Sequence, residues 1–251
     1  TKDSQKEYDF STPVIGDLYL YAKWQPADCT VTFDLNGHPN ANHAPTSPQT
    51  VKHGQKVTEP SPAPEEHGYE FGGWYKKQTC PDDSKFDFTT PITDHITLYA
   101  KWEINKYTVT FDFNTGKTST PKTEEVEYGN PVSKPTEPTH TGYTFGGWYT
   151  ADGKEFTFDA DGKSTTPITD HITLYAKWTK NHYTVTFDVD GQTDLISPVS
   201  VEHGKGVAKP TAPTKEGYTF DGWYTNANHT NKYALWGDSI TGNTTFYARW
   251  N

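Results

Sequence analysis

The chain has 251 residues and carries a formal net charge of −10 at pH 7. This acidic excess excludes nucleic acid as a partner, because phosphate binding needs clustered Lys and Arg side chains. No apolar stretch approaches the roughly 20 residues of a membrane-spanning helix, so no membrane span is expected in this chain. Aromatic residues reach 15% although hydrophobic residues total only 32%, which favours several small cores over one large aliphatic core. The net charge also opposes self-association, and we therefore expect a monomer.

The first 24 residues end in a sequence that returns three times. Tyr21-Ala22-Lys23-Trp24 has counterparts that end at Trp102, at Trp178 and, with Arg in place of Lys, at Trp250. We therefore interpret residues 1–24 as the C-terminal part of a truncated preceding repeat. Because its closing strand lacks the rest of a sheet, it is expected either to be disordered or to dock on an available sheet edge.

The four tryptophans are 78, 76 and 72 residues apart, and the sequence between them repeats. Each repeat opens with a sequence such as Tyr107-Thr108-Val109-Thr110-Phe111-Asp112, whose alternation of apolar and polar residues predicts a half-buried β-strand. The sequence Gly-Tyr-x-Phe-x-Gly-Trp-Tyr predicts a second strand, with Phe145 on one face and Trp148 on the other. The predicted domains are repeat 1 at residues 29–102, repeat 2 at 107–178 and repeat 3 at 183–250.

Aromatic residues that recur in every repeat are predicted to form its core. They are Phe33, Tyr69, Phe71, Trp74 and Trp102 in repeat 1, Phe111, Tyr143, Phe145, Trp148 and Trp178 in repeat 2, and Phe187, Tyr218, Phe220, Trp223 and Trp250 in repeat 3. The alternative is an exposed aromatic face that contacts a sugar or a protein. Its candidate residues are Tyr75, Tyr149, Tyr224 and Trp236. Trp236 lies off the repeat pattern, so it either fills a local gap or marks a binding spot in repeat 3.

The two cysteines, Cys29 and Cys80, both fall in repeat 1. Where Cys29 stands, the later repeats carry Tyr107 and Tyr183. Two cysteines acquired by a single repeat predict a disulfide bond within it, which suits an oxidising, extracellular setting. The alternative is a pair of free thiols.

No sequence pattern of catalysis is present: the chain has no Gly-x-Ser-x-Gly, no phosphate-cradling glycine loop and no His-Glu-x-x-His. His95 and His171 share a turn before the closing strand, but the last repeat has Asn243 in that turn. This exchange argues against a metal or acid–base role for the two histidines. We therefore predict a protein that is not an enzyme and that uses no cofactor and no metal.

Four residues separate each closing tryptophan from the next opening strand, at 25–28, 103–106 and 179–182, and none of them is Gly. Fully extended, four residues span at most about 14 Å. Neighbouring repeats must therefore nearly abut, and the equal spacing predicts an elongated, semi-rigid rod rather than loosely tethered domains.

Taken together, the sequences Tyr-x-Val-x-Phe-Asp, Gly-Tyr-x-Phe-x-Gly-Trp-Tyr and Thr-Leu-Tyr-Ala-Lys-Trp resemble the Listeria–Bacteroides repeat, the B-repeat of internalin-type surface proteins. The resemblance implies a β-rich α+β class, with tandem small β-grasp (ubiquitin-like) repeats. It also implies an extracellular location on the bacterial cell surface, with attachment to the cell wall through regions outside this chain. The family offers no catalytic residues to carry over. The Cys29/Cys80 pair and the loop around Trp236 depart from it.

Two functions remain open at this point. In the first, the repeats are the stalk of a bacterial adhesin and hold a binding domain away from the cell wall. In the second, the repeats themselves bind a host surface protein or a glycan through an exposed aromatic or acidic face.

Overall fold

The computed structural model describes residues 7–116, 120–192 and 195–251. The chain divides into two compact units, Thr1–Asn105 and Lys106–Asn251. The first compact unit contains repeat 1, and the second contains repeats 2 and 3. Residues 1–6 of the predicted preceding repeat lie outside the described part of the chain.

Repeat 1 is one four-stranded sheet. Its strands are β1 (Asp28–Asp34), β2 (Gln49–Lys52), β3 (Tyr69–Tyr75) and β4 (Ile96–Ile104), and their order across the sheet is β2-β1-β4-β3. The opening strand β1 is antiparallel to β2 but parallel to the closing strand β4, and β3 is antiparallel to β4. A 3₁₀-helix at Asp82–Ser84 follows β3.

Repeats 2 and 3 have the same topology. The strands of repeat 2 are β5 (Lys106–Asp112), β6 (Lys122–Glu127), β7 (Tyr143–Tyr149), β8 (Glu155–Phe156) and β9 (Ile172–Lys180), in the order β6-β5-β9-β7-β8. Those of repeat 3 are β10 (His182–Asp188), β11 (Val199–Glu202), β12 (Phe220–Tyr224) and β13 (Thr244–Trp250), in the order β11-β10-β13-β12. In both repeats the opening and closing strands are parallel neighbours.

One face of each sheet covers a core that belongs to that repeat alone. In β5, Val109 and Phe111 are both 0% exposed while Thr108 and Thr110 are half-buried, which is the alternation that the sequence predicts. Connecting segments close the other side of the core: Val132 and Ile168 pack there in repeat 2. The same two segments exchange backbone hydrogen bonds, from the amide of Gly129 to the Ile168 carbonyl and from the amide of Ile168 to the Asn130 carbonyl. Irregular chain thus occupies the place that a helix would fill in an α+β domain.

Helix is nearly absent from the described residues, where Asp82–Ser84 is the single helical element. The structure is therefore β-rich without the helical component that the α+β expectation carried. Prolines explain part of this, because residues that precede a proline disfavour helical backbone. Among the described residues, no helix is long and apolar enough to cross a membrane.

A β-bulge in each Gly-Trp-Tyr strand reverses one expectation from the sequence. The pairing of β7 with β9 shifts register between Phe145 and Trp148, and the bulge holds Gly147 at a φ of +106°. One extra residue on a strand turns the following side chain to the opposite face. Phe145 and Trp148 therefore both face the core, with ring centroids 5.5 Å apart, and the prediction that they lie on opposite faces was wrong.

The N-terminal segment from residue 7 to residue 24 forms no strand. Its aromatic side chains are open to solvent: Phe10 is 83% exposed and Trp24 is 90% exposed. The assignment of residues 1–24 to a preceding repeat stays a prediction.

Candidate functional site

The central tryptophan of each repeat is the most deeply buried large side chain. Trp74, Trp148 and Trp223 are each 1% exposed. Each packs edge-on against the phenylalanine of the opening strand, and the Phe111–Trp148 ring centroids are 5.0 Å apart. None of the three indole N–H groups has a hydrogen-bond acceptor in the described part of the chain. Their contribution is therefore packing, on the order of 5 kcal/mol for about 200 Å² of buried aromatic surface.

The closing tryptophans are half-buried and join the two ends of the repeat. The indole N–H of Trp102 donates to the Leu35 carbonyl at 2.9 Å, and that of Trp178 donates to the Phe113 carbonyl at 2.7 Å. The indole N–H of Trp250 has no such acceptor among the described residues. In repeats 1 and 2, therefore, a side chain on the closing strand is bonded to backbone just beyond the opening strand.

A second side-chain link lies at the other end of the same strand pair. The amide of Thr30 donates to Nδ1 of His95 at 3.0 Å, and that of Thr108 donates to Nδ1 of His171 at 2.9 Å. In repeat 3 the amide of Thr184 donates instead to Oδ1 of Asn243 at 3.0 Å. The exchange of His for Asn, which argued against a metal site, thus preserves a hydrogen-bond acceptor. A neutral imidazole with its proton on Nε2 supplies that acceptor.

The tyrosine that begins each Gly-Tyr-x-Phe strand is not a core residue. Tyr69 and Tyr143 are half-buried, and Tyr218 is 56% exposed. Each shares a surface patch with the closing tryptophan and a basic residue, which is His38, His140 or Lys215. Tyr218 is therefore a surface residue, contrary to the prediction. Its ring packs under the Lys215 ammonium, which lies 4.4 Å from the ring centroid.

The tyrosines proposed as ligand contacts do not form an open face. Tyr75 is 3% exposed and Tyr224 is 4% exposed, so neither ring can meet a ligand, and for these two the prediction was wrong. Tyr149 is half-buried beneath the Lys177 ammonium, which lies 4.6 Å from its ring centroid. Closing-strand cations cover the other two rings in the same way: the Lys101 ammonium lies 5.6 Å from the Tyr75 ring centroid, and the Arg249 guanidinium lies 5.5 Å from that of Tyr224.

Trp236 is half-buried and packs against the core of repeat 3. Its ring lies 4.9 Å from that of Tyr233 and 5.4 Å from that of Phe246. The amide of Tyr233 donates to the Trp223 carbonyl, just as the amide of Phe86 donates to the Trp74 carbonyl in repeat 1. Phe86 is followed by a second core aromatic, Phe88, and Trp236 supplies the corresponding bulk in repeat 3. This packing is what the gap-filling interpretation of Trp236 requires.

The predicted disulfide is not formed, and Cys29 and Cys80 are free, buried thiols. Cys29 lies at the start of β1, two residues before Val31, which pairs with Ile96. The Cys80 sulfur lies 3.6 Å from the Ala100 carbonyl oxygen, near the other end of the same strand pair. Six residues of strand correspond to roughly 20 Å, whereas bonded cysteines need Cα atoms within about 7 Å. Burial raises the pKa of the Cys80 thiol, so the sulfur stays protonated.

The junction between repeats 2 and 3 consists of one residue, because the closing strand runs two residues past Trp178. β9 ends at Lys180 and β10 begins at His182, leaving Asn181 between them. The amide of Asn181 donates to the Gly142 carbonyl of repeat 2 at 2.8 Å. Its carbonyl accepts the amide of His203 from repeat 3, also at 2.8 Å. Both repeats therefore bond to the backbone of the same linking residue.

Side chains reinforce this junction. Lys180 of repeat 2 forms an ion pair with Glu202 of repeat 3, with Nζ and Oε2 3.0 Å apart. The hydrogen bond from Lys180 lowers the pKa of Glu202, and the same bond raises the pKa of Lys180. Gly142 packs so closely on His203 that a Cβ atom there would lie 2.2 Å from the imidazole.

A half-open cavity of about 300 Å³ lies on repeat 2. Phe145, Trp148, Phe156 and Phe158 form its apolar wall, and Lys134 and Glu155 are among the polar residues around it. Among the described residues, no group of three or more His, Cys, Asp or Glu side chains could hold a metal ion.

These features define the protein as a tandem array of small β-domains. Each domain has its own aromatic core, and repeats 2 and 3 are both hydrogen-bonded to the residue that links them. The chain belongs to the Listeria–Bacteroides repeat family, whose domain model matches residues 30–101, 107–177 and 183–249. The family predicted from the sequence motifs is thereby confirmed.

Named relatives share these repeats. The chain is 40% identical over 146 residues to Internalin H of Listeria monocytogenes, a match that covers 57% of this chain and 25% of that protein. It is 38% identical over 234 residues to a protein of Evansella cellulosilytica that is named as a candidate membrane protein, covering 93% of this chain and 33% of that one. The chain thus spans a third or less of the length of these relatives.

Proposed function

We propose that this chain is a non-enzymatic stalk region of a bacterial cell-surface adhesin, which holds a binding domain away from the cell wall. The observation that carries the proposal is the one-residue junction at Asn181, where backbone bonds from both neighbouring repeats meet. Such a junction restricts the motion of one domain relative to the next. A spacer needs this restriction, whereas a set of independently moving binding modules does not.

The relatives support the location. Internalin H matches this chain over 146 residues. The protein of Evansella cellulosilytica, which matches over 234 residues, is named as a candidate membrane protein. We infer an extracellular position for the repeats, with the cell envelope attachment and the binding domain supplied by sequence beyond them. A host surface protein or glycan would then be the partner of that binding domain.

The strand order supports a β-grasp assignment for each repeat. In that fold, the opening and closing strands are parallel neighbours at the centre and each has an antiparallel partner outside it. The order β6-β5-β9-β7 has this arrangement. The departure from the fold is the irregular segment with Val132 where a helix would lie. The equal linker lengths and the backbone hydrogen bonds between Asn181 and both neighbouring repeats favour an arrangement of the repeats in line, as a rod.

Repeat replacement in the full-length surface protein tests the stalk function. Deleting the three repeats should abolish adhesion by the distal domain, because the domain would then lie close to the wall. Substituting three unrelated small β-domains with equally short junctions should restore adhesion. Two results together would contradict the stalk function: the substituted protein fails to adhere, and the isolated native repeats compete with the full-length protein for the host surface.

The second candidate function is binding by the repeats themselves, and the cavity on repeat 2 favours it. Its volume of about 300 Å³ lies at the lower end of the range for small-ligand sites, and Phe158 is among the residues that line it. Screening the chain against a glycan array, with Phe158→Ala as the matched variant, tests it. Saturable binding that Phe158→Ala abolishes would support this function over that of a pure spacer.

A further inference from the structure

The order of the strands determines how a repeat responds when the chain is pulled from its ends. Tension on a stalk enters each repeat at the start of its opening strand and leaves at the end of its closing strand. In repeat 3 these strands are β10 and β13, which are adjacent and parallel and pair from Val185↔Thr244 to Asp188↔Tyr247. Repeats 1 and 2 contain the same pairing, through β1 with β4 and through β5 with β9.

Parallel neighbours that are pulled from opposite ends slide along each other. The hydrogen bonds of a parallel pair are slanted and evenly spaced along the strands, so under this pulling they share the load and must break together. Two strands pulled apart from the same end open one bond at a time. The first geometry resists a force several times larger than the second, although the free energy of unfolding is the same in both.

We propose that each repeat is a mechanical clamp that keeps the stalk folded under tension. This proposal rests on the stalk function, since a stalk is what adhesion would stretch, and adds a load-bearing activity to the spacer role. A spacer that is never pulled would need no particular order of strands.

Core packing makes sliding of the two strands costly. In repeat 2, Phe111 of the opening strand pairs with Leu174 of the closing strand, and both are 0% exposed. In repeat 3 the corresponding pair is Phe187 and Phe246, with ring centroids 5.9 Å apart. A slip of one residue would turn such side chains from the core to solvent.

Side-chain links fasten the same strand pair near both of its ends. At the start of the closing strand, His171 accepts the amide of Thr108. At its end, the indole of Trp178 donates to the Phe113 carbonyl. Repeat 1 has both links, through His95 and Trp102. In repeat 3, Asn243 provides the first link, but the Trp250 indole has no acceptor among the described residues. Repeat 3 should therefore be the weakest of the three clamps.

The one-residue junction transmits tension directly from clamp to clamp. β9 leads through Asn181 into β10, so the closing strand of repeat 2 and the opening strand of repeat 3 form a nearly continuous force path. A long flexible linker would instead extend before the load reached the next sheet.

Single-molecule force spectroscopy on the whole chain, with handles at both termini, tests the proposal. We expect three unfolding events, each releasing about 75 residues or roughly 250 Å of extended chain. Repeat 3 should open at the lowest of the three forces. A second chain carries the C-terminal handle on an azide-bearing residue at position 242, where a Cβ atom meets nothing within 4 Å.

The second attachment changes the geometry for repeat 3 alone. Its two strands are then pulled from the same end, while repeats 1 and 2 are loaded as before. We expect two unchanged events and a third at a roughly two- to fourfold lower force, because four residue pairs no longer share the load. An unfolding force for repeat 3 that is the same with both attachments would overturn the clamp.

A variant of repeat 2 separates the link from the sheet. His171→Ala removes the acceptor for the Thr108 amide and should lower the force of one event, whereas His171→Asn copies repeat 3 and should keep it. Equal forces for the two variants would show that the link carries no load. Repeats that all open at low force could still act as spacers, so this result would leave the repeat-replacement experiment to decide the stalk function.

Discussion

Gly147, together with Gly73 and Gly222, sets the direction of the most buried side chain in its repeat. All three glycines have positive φ angles at or beside the bulge, and each is followed directly by the central tryptophan. Positive φ is unfavourable for any residue with a Cβ atom, so a substitution at these glycines would strain the backbone. The glycine is therefore as much a determinant of the core as the tryptophan beside it.

Gly147→Ala tests this role. Space is not limiting, since a Cβ atom at Gly147 would be 3.6 Å from its nearest neighbour, so the cost is backbone strain at a φ of +106°. We expect a loss of about 1–3 kcal/mol in the free energy of unfolding, measured by urea denaturation. Gly242→Ala is the matched control, because that glycine has open space and no positive φ, and it should change stability by less than about 0.5 kcal/mol. A neutral Gly147→Ala would contradict the role of the bulge.

Trp236→Ala distinguishes a packing residue from a ligand contact. Because the indole packs on Tyr233 and Phe246, its loss should destabilise repeat 3 by about 2–4 kcal/mol. Hydrogen exchange of the β13 amides reports the stability of repeat 3 separately from that of repeat 2. The neighbouring Leu235 is 65% exposed, so Leu235→Ala should leave β13 exchange nearly unchanged. If hydrogen exchange of the β13 amides is unaltered in Trp236→Ala, Trp236 does not stabilise the core, and a role as a ligand contact would again be the better explanation.

At the scale of elements, the opening and closing strands could be predicted from sequence because their alternation has the period of a half-buried strand. The face on which Trp148 lies could not be predicted, because a bulge interrupts the two-residue alternation of side chains that starts at Phe145. The glycines at the bulge are no clear signal of it, since glycines are also common in ordinary turns. The length of the closing strand was underestimated for a different reason. Thr179 and Lys180 are polar and carry no apolar pattern, yet both pair with β7.

The candidate site was only partly predictable for similar reasons. Recurrence identified the core aromatics but did not separate buried Trp148 from exposed Tyr218, because both recur equally. The exchange of His95 and His171 for Asn243 in repeat 3 suggested that the position has no role common to the repeats. The structure shows that all three side chains accept a backbone amide hydrogen bond. The separation of Cys29 from Cys80 depends on the parallel pairing of β1 with β4, which no local pattern encodes.

The ion pair between β9 and β11 gives the junction a dependence on pH. Lys180 lowers the pKa of Glu202 in the folded chain, so the pair stabilises the junction at pH values above the glutamate's ordinary pKa of 4.5. That stabilisation is lost as the pH falls through the lowered folded-state value, because the protonated carboxyl no longer pairs with Lys180.

A carboxyl NMR titration checks this effect. The midpoint of Glu202 should lie below 4.5 in the native chain and move upward in Lys180→Ala. Lys134→Ala, which removes a lysine paired with Glu137 inside repeat 2, is the control and should leave the Glu202 midpoint in place. Identical midpoints in the native chain and Lys180→Ala would mean that the pair does not form in solution.

At the scale of the whole molecule, three copies of one sheet combine two properties. Each copy has its own core, so a repeat does not need its neighbour to bury its aromatics. Each copy also places its entry and exit strands side by side, which suits a chain held at both ends. The family assignment concerns the repeats, and the relatives extend well beyond them, so a distal binding domain and an anchor belong to the proposal for the complete protein.

Small-angle X-ray scattering on the 251-residue chain tests the stalk most directly. Three domains of about 30 Å arranged in line predict a maximum dimension of about 90–100 Å that does not change with moderate salt. A single body of about 50 Å across would contradict a stalk built from these repeats.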